Sequence, residues 1–414
     1  MQPRTILYRR ERWQLPSGET VVAPLPDGIV GHFGAELKRF IISQYVQGQV
    51  TVPRLVRLLN DLGIAISKRQ VMRLLIENQD AFLSESRDVL RAGLASADWI
   101  TVDDTGARHQ AKNGFCTHIG NDQFASFTTT SSKSRLNFLE LLTAGDTTHL
   151  INDAALAYMR ERNLSEVVIN QLAAHPEKSF ANREAWMAHL ERLQITALKS
   201  NPDPVRIATE GALWGSITAQ GLLNGTVIVS DGAGQFDVGD HALCWLHAER
   251  LVHKLDAFTE EQRHAKERIR EQIWRLYADL KAYRKKPTQK LKAELTRRFK
   301  KIFTTQTGFA TLDRLLSRLH AQQDQLLAVL ERPDIPLHTN GSENDIRCQV
   351  TRRKISGGTR SNIGRDCRDA FLGLMKTCAK QGIRFWDYLG ARLGVLGAAD
   401  VPPLAELVAQ PAPP

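Results

Sequence analysis

Residues 97–130 read ADWITVDDTGARHQAKNGFCTHIGNDQFASFTTT. ADWITVDD is a short β-forming run that ends in two carboxylates, Asp103 and Asp104. FCTHIGN and FASFTTT follow as two further β segments, with Gly120, Asn121 and Asp122 as the turn between them. SKSRLNFLELLTAG then places Leu136, Leu139 and Leu142 at helical spacing. Three strands and a helix, the first strand closing on an Asp, predict an α/β core.

The same core is signalled again downstream. NGTVIVSDGAGQF holds a short apolar run, Val227 to Val229, bounded by Gly225 and by the Asp231-Gly232 turn. A run of that kind suits a strand buried on both faces. HALCWLHAER gives another short apolar segment, and TNGSENDIRCQVTRRKISGG predicts a helix capped by Asn340 or Ser342 with Glu343 in its first turn. Active groups of open sheets gather beyond the carboxyl ends of strands, so Asp103 and Asp231 are expected to meet there, with Glu343 arriving from a packed helix. Three converging carboxylates repel one another, and hard divalent cations with oxygen ligands relieve that repulsion. An Asp before Gly is also an ordinary turn residue, so the weight lies on the three acids in this order.

Composition points the same way. The chain has 414 residues, with 55 Lys and Arg against 45 Asp and Glu, a formal charge of +10. From Leu246 to Lys301 there are 17 basic residues against 8 acidic ones. Such an excess favours a polyanionic partner, most simply nucleic acid. No uncharged apolar run reaches a membrane span of ~20 residues, and the N-terminus lacks a signal-peptide core. Five scattered cysteines without a C-x-x-C pair argue against a disulfide scaffold or zinc ribbon. A cytoplasmic, nucleoid-associated protein is expected.

Upstream, TVPRLVRLLNDLGIAISKRQVMRLLIEN contains two short helical patterns joined at Gly63. Ser67 and Gln70 form a capping box for the second, which begins Lys68-Arg69. A DNA-binding helix-turn-helix, with Lys68, Arg69 and Arg73 toward DNA, and a plain αα-hairpin both fit this pattern.

The order of these elements resembles the ribonuclease H-like core of the DDE transposases, and more closely the insertion-sequence-66 family. VDDTGARHQ, SDGAGQF, CWLHAER, TNGSENDIRCQVTRRKISGG and KTCAKQGIRFWDYL carry the resemblance across residues 97–395. It implies a catalytic and metal-binding triad of Asp103, Asp231 and Glu343, with Asp103 rather than Asp104 because Asp103-Asp104-Thr105 matches the family's pattern. It further implies two Mg²⁺ or Mn²⁺ ions, cleavage at transposon ends, and strand transfer into target DNA. Double-stranded DNA, a homo-oligomeric synaptic complex and accessory proteins of the same element are the implied partners. A nuclease or resolvase on the same core, or a non-catalytic DNA-binding regulator, are the alternatives.

Cys244 and His247 of CWLHAER read either as support for the active site or as a buried thiol and a core histidine. Glu343, Arg347 and Lys354 share a helix face, and Arg347, Arg352, Arg353 and Lys354 are expected to meet DNA; a Glu343–Arg347 surface pair is the plainer reading. The expected organisation is an irregular lead-in at 1–35, a helix-turn-helix-like region at 36–95, and a ribonuclease H-like core that starts at 96–248. A helical insertion at about 146–223 and a basic helical insertion at 249–335 interrupt that core. The catalytic-Glu helix and the rest of the core fill 336–395, and a Pro-rich flexible tail closes the chain at 396–414. The family's N-terminal coiled coil and Cys-rich zinc segment have no counterpart in this sequence.

Overall fold

The computed structural model describes residues 4–26 and 32–410; the outermost parts of the expected lead-in and tail, and residues 27–31, lie outside them. A small antiparallel hairpin, β1 (Arg12–Gln14) with β2 (Thr20–Val22), comes first. Four helices follow: α1 (Ala35–Val46), α2 (Val52–Asp61), α3 (Lys68–Ile76) and α4 (Asp80–Ser96). The Ser67–Gln70 capping box forms as the sequence predicts. Lys68, Arg69 and Arg73 are exposed, with Arg73 3.4 Å from Glu77. In α2 Val52, Leu55 and Leu59 are buried, whereas Leu58 faces outward.

Strands β3 (Trp99–His109), β4 (Lys112–Gly120) and β5 (Ala125–Thr130) form an antiparallel meander, followed by α5 (Arg135–Leu142). β3 is longer than the sequence suggests, because the chain turns at Gln110-Ala111, both at positive φ, and not after Asp104. Asp103 therefore lies within the strand and not at its end. Next come β6 (His149–Leu150), α6 (Asp153–Glu161), α7 (Glu166–Ala174), β7 (Ser179–Phe180), α8 (Arg183–Arg192) and α9 (Pro204–Ala219). β6 pairs with β7 antiparallel.

β8 (Val227–Ser230) and β9 (His241–Leu243) then join the meander in parallel, giving a five-stranded mixed sheet in the order β5-β4-β3-β8-β9. All four residues of β8 are buried, as a strand covered on both faces requires. Ile100, Val102, Ile119 and Ile228 pack on one face with Leu94, Phe138 and Phe371. Val227, Val229 and Leu243 point the other way. They join the core of the basic block, built from α10 (Trp245–His253), α11 (Glu260–Lys285), α12 (Gln289–Phe303), α13 (Ala310–Ala321) and α14 (Gln323–Leu326).

The chain closes with α15 (Asn340–Ser356), α16 (Asn362–Lys380), α17 (Phe385–Arg392) and α18 (Leu404–Val408). No helix among the described residues is long and apolar enough to cross a membrane. α18 lies inside the stretch expected to be a flexible tail. Val401, Leu404 and Val408 are buried at helical spacing, and that periodicity outweighs the surrounding prolines. Glu85 of α4 anchors it, accepting from Arg392, Tyr388 and the Leu404 backbone N–H at 2.8–3.0 Å. Leu404→Ala is expected to lower stability by about 2–4 kcal/mol in denaturant melts, whereas a loose tail would leave the midpoint unmoved.

Candidate functional site

The site begins with register. Trp99, Ile100 and Thr101 of β3 lie opposite Val227, Ile228 and Val229 of β8, and the same offset carries Asp103 opposite Asp231 just past the end of β8. Side chains alternate along a strand, so Thr101 and Asp103 share one face while Val102 and Asp104 share the other. α15 covers the first of these faces: the Ser342 hydroxyl donates to the Thr101 hydroxyl at 2.6 Å and brings Glu343 alongside. Thr339 is the N-cap of α15 and makes no side-chain cap bond, so neither Asn340 nor Ser342 fills the expected capping role. Ser342 docks on the sheet, and Asn340 lies inside the helix.

Asp231 stands in a tight turn. Its Oδ1 accepts the Ala233 N–H at 2.9 Å, and Gly232 adopts φ +89°. Only glycine takes that conformation without strain. The Ser230 hydroxyl holds the turn from beneath, accepting the Gly232 N–H and bonding His241 Nε2 at 2.7 Å.

Electrostatics separate the two neighbouring aspartates. Asp104 accepts from Gln235 at 2.7 Å and has Lys133 at 3.7 Å. Asp103 has no such partner: it accepts its neighbour's backbone N–H, and no cationic side chain comes within 4.0 Å of it or of Asp231 among the described residues. Burial, and then the charges of Asp231, Asp104 and Glu343, push the Asp103 carboxyl up to about 6. Three hard oxygen donors in mutual repulsion form a donor set suited to Mg²⁺ or Mn²⁺. The three do not draw together within 4.8 Å of one another, so the arrangement is wider than a single-ion cage.

The raised Asp103 carboxyl has a sign that can be tested. Its folded value lies above the unfolded 3.8, so the wild type loses stability as pH rises from about 4 to about 6 and does not regain it above. Asp103→Asn is therefore expected to be about 1–2 kcal/mol more stable than wild type at pH 8 in EDTA, with the gap closing below pH ~4. Paired thermal melts across pH check this, and an equal or less stable Asn variant refutes it.

Glu343 is 3.7 Å from His247 Nε2 and 4.0 Å from Arg250. Cys244 caps α10 at its start, and burial would raise its thiol; the hydrogen bond and charge of His247 outweigh that and lower it. The bond to Cys244 correspondingly raises His247. The C-x-x-H segment thus sits beside the acidic centre, with His247 next to Glu343.

α15 spans Glu343, Arg347 and Lys354, and the two basic residues are exposed. Glu343 faces His247 and makes no pair with Arg347. Arg352 departs from the DNA contact expected of it. It is buried, stacks 3.7 Å from the Tyr45 ring centroid and donates to the Tyr45 carbonyl at 2.6 Å. Arg353 is half-buried and donates to the Gly106 carbonyl. Arg352 is drawn to Tyr45 near the end of α1 and Arg353 to β3, so each finds a protein acceptor instead of facing solvent.

A second charged centre escaped the sequence reading. Asp345, two residues beyond Glu343, is buried with His118 Nε2 at 3.3 Å, Lys376 at 3.3 Å and Lys380 at 2.9 Å. His118 is the cross-strand partner of Asp103. The only signal was Asp345 within ENDIR, since its partners lie on β4 and α16, far away in sequence.

The fold is that of a mixed α/β protein whose five-stranded sheet brings Asp103 and Asp231 beside the helix that holds Glu343. The chain belongs to the Transposase IS66 family, which it matches over residues 31–213 and 212–366. It is also similar to an uncharacterized protein, y4jO, of Sinorhizobium fredii (strain NBRC 101917 / NGR234), at 50% identity over 321 residues, 78% of this chain and 99% of that protein.

Proposed function

We propose that this protein is a DDE-type DNA transposase with a ribonuclease H-like core, and that Asp103, Asp231 and Glu343 are its catalytic carboxylates. The observation that carries the reading is the juxtaposition: the β3–β8 register sets half-buried Asp103 opposite Asp231, neither with a cationic side chain within 4.0 Å among the described residues, and α15 docks on the same face with Glu343. A structural aspartate gains nothing from such surroundings. The three acids would hold two Mg²⁺ or Mn²⁺ ions, which when bound supply Lewis-acid activation of the nucleophile and stabilisation of the leaving oxygen.

The chain's own residues position the reaction. β3, β8 and α15 hold the three carboxylates on one face, and Arg347 and Lys354 extend along the exposed side of α15 toward the phosphate backbone. His247 and Arg250, 3.7 and 4.0 Å from Glu343, would offset part of its charge. Water hydrolyses one phosphodiester at the element end, leaving a 3′-hydroxyl and a 5′-phosphate. That hydroxyl then attacks a target phosphodiester: one P–O bond forms and one breaks, with no external energy source. The basic helices α11 and α12 and the α2–α3 pair with Lys68, Arg69 and Arg73 are the DNA-contacting surfaces in this reading, α2–α3 acting as a helix-turn-helix. Two ends held together require a homo-oligomer, aided by accessory proteins of the element.

The test incubates purified protein and Mg²⁺ or Mn²⁺ with DNA carrying the sequences that flank its gene, and maps nicks and joined products. Metal-dependent nicks at the ends followed by joining support transposition. Cutting without joining, with accessory proteins supplied, points to a nuclease on the same core. Binding without either product under those conditions overturns the enzymatic reading.

A further inference from the structure

The helical segment between β5 and β8 holds a second group of metal-ligating side chains, well away from the carboxylate centre in sequence. His175, Glu177 and His189 each offer one ligand atom, and the three atoms lie within 4.8 Å of one another. His175 follows the last residue of α7, Glu177 lies in the turn before β7, and His189 is in the last turn of α8.

His189 is fully buried, with ring centroids 4.4 Å from Phe180 and 4.5 Å from His175. Its Nε2 has no hydrogen-bond partner, while Nδ1 lies 4.0 Å from the Glu177 carboxylate. The gap between these two is bridged by a cation already: Arg192 Nη2 donates to Glu177 at 2.9 Å and stands 3.4 Å from His189 Nδ1. The Arg192 side chain is 61% exposed, so the space beyond it is open to solvent.

We propose that His175, Glu177 and His189 form a zinc site that clips the α7–β7 turn onto α8. Two imidazoles and one carboxylate are a borderline-soft donor set that suits Zn²⁺ over Mg²⁺, with a water completing the tetrahedron. Zn–N and Zn–O bonds of about 2.0–2.1 Å set ligand spacings of about 3.4 Å, so the 4.0 Å gap closes by a small movement of half-exposed Glu177. Arg192 marks the position the ion takes. The inference is independent of the role given to Asp103, Asp231 and Glu343.

The experiment uses the full chain carrying Asp103→Asn and Asp231→Asn, which removes the carboxylate centre as a competing sink. The protein is loaded with Zn²⁺, dialysed against a weak chelator and assayed for metal. One zinc per chain is expected, with a raised melting temperature and, on Co²⁺ substitution, the intense visible bands of tetrahedral coordination. His175→Asn and Glu177→Gln, at solvent-accessible ligands, should weaken zinc by at least ~tenfold while keeping the native far-UV spectrum. Arg192→Ala should bind zinc more tightly than the parent. No zinc in a folded parent, or equal zinc in the His175→Asn and Glu177→Gln variants, overturns the site.

Discussion

If the three carboxylates are the catalytic set proposed, Asp231→Asn and Glu343→Gln are each expected to lower metal-dependent cleavage at the element ends by about 10³-fold or more, and combining them to cost little beyond either one alone. That non-additivity is the mark of groups that act as one unit. Each substitution keeps the side chain's size and removes one ionised oxygen, so α15 still docks through Ser342 and the Asp231 turn keeps its amide contacts. DNA binding should hold or tighten slightly, because the phosphate contacts come from Lys and Arg and one repelling charge is gone. Gel-shift titrations beside product mapping separate the two effects. Cleavage that persists in both variants would remove these carboxylates from the mechanism.

Asp345→Ala is expected to destabilise the fold by about 3 kcal/mol or more, among the largest single-residue effects in the protein. The buried carboxylate faces Lys376, Lys380 and His118, and its removal leaves two half-buried ammonium groups without their counter-charge. Asp345→Asn should cost less, since it retains an acceptor. Burial alone would raise this carboxyl, but the bond from His118 and the charge of Lys380 hold it far below its ordinary 3.8. Its contribution is therefore complete above pH ~4 and is lost progressively as pH falls from there toward the depressed value. Denaturant melts of wild type and Asp345→Asn from pH 7 to pH 2 should converge at the acid end. A constant gap across that range would refute the assignment. Because Asp345 is held by His118, the cross-strand neighbour of Asp103, and lies two residues from Glu343 on α15, Asp345→Asn is also expected to slow cleavage while leaving DNA binding intact.

Much of the candidate site was legible from residue order. The β run before Asp103, the buried strand before Asp231-Gly232 and the helix holding Glu343 are local patterns, and local periodicity survives in a linear sequence. The Ser67–Gln70 capping box was legible for the same reason, since both partners lie within one turn. The length of β3 was not, because its continuation to His109 depends on pairing with Lys112–Gly120 and not on its own propensity. Nor was the order of Leu404–Val408, whose helix exists because Glu85 and α4 receive it.

The sequence by itself determined which residue types were on hand: acids in or just after β-forming runs, a basic helical block, and a capped helix pair. Tertiary structure alone decided which charges find partners. It buries Arg352 against Tyr45 and leaves Arg347 outside, and it satisfies Asp104 with Lys133 and Gln235 while leaving Asp103 uncompensated. Neighbouring residues on a strand face opposite ways, and Gln235 reaches Asp104 from 131 residues away. The energy of an ionised group is set by those partners, and chain order does not record them.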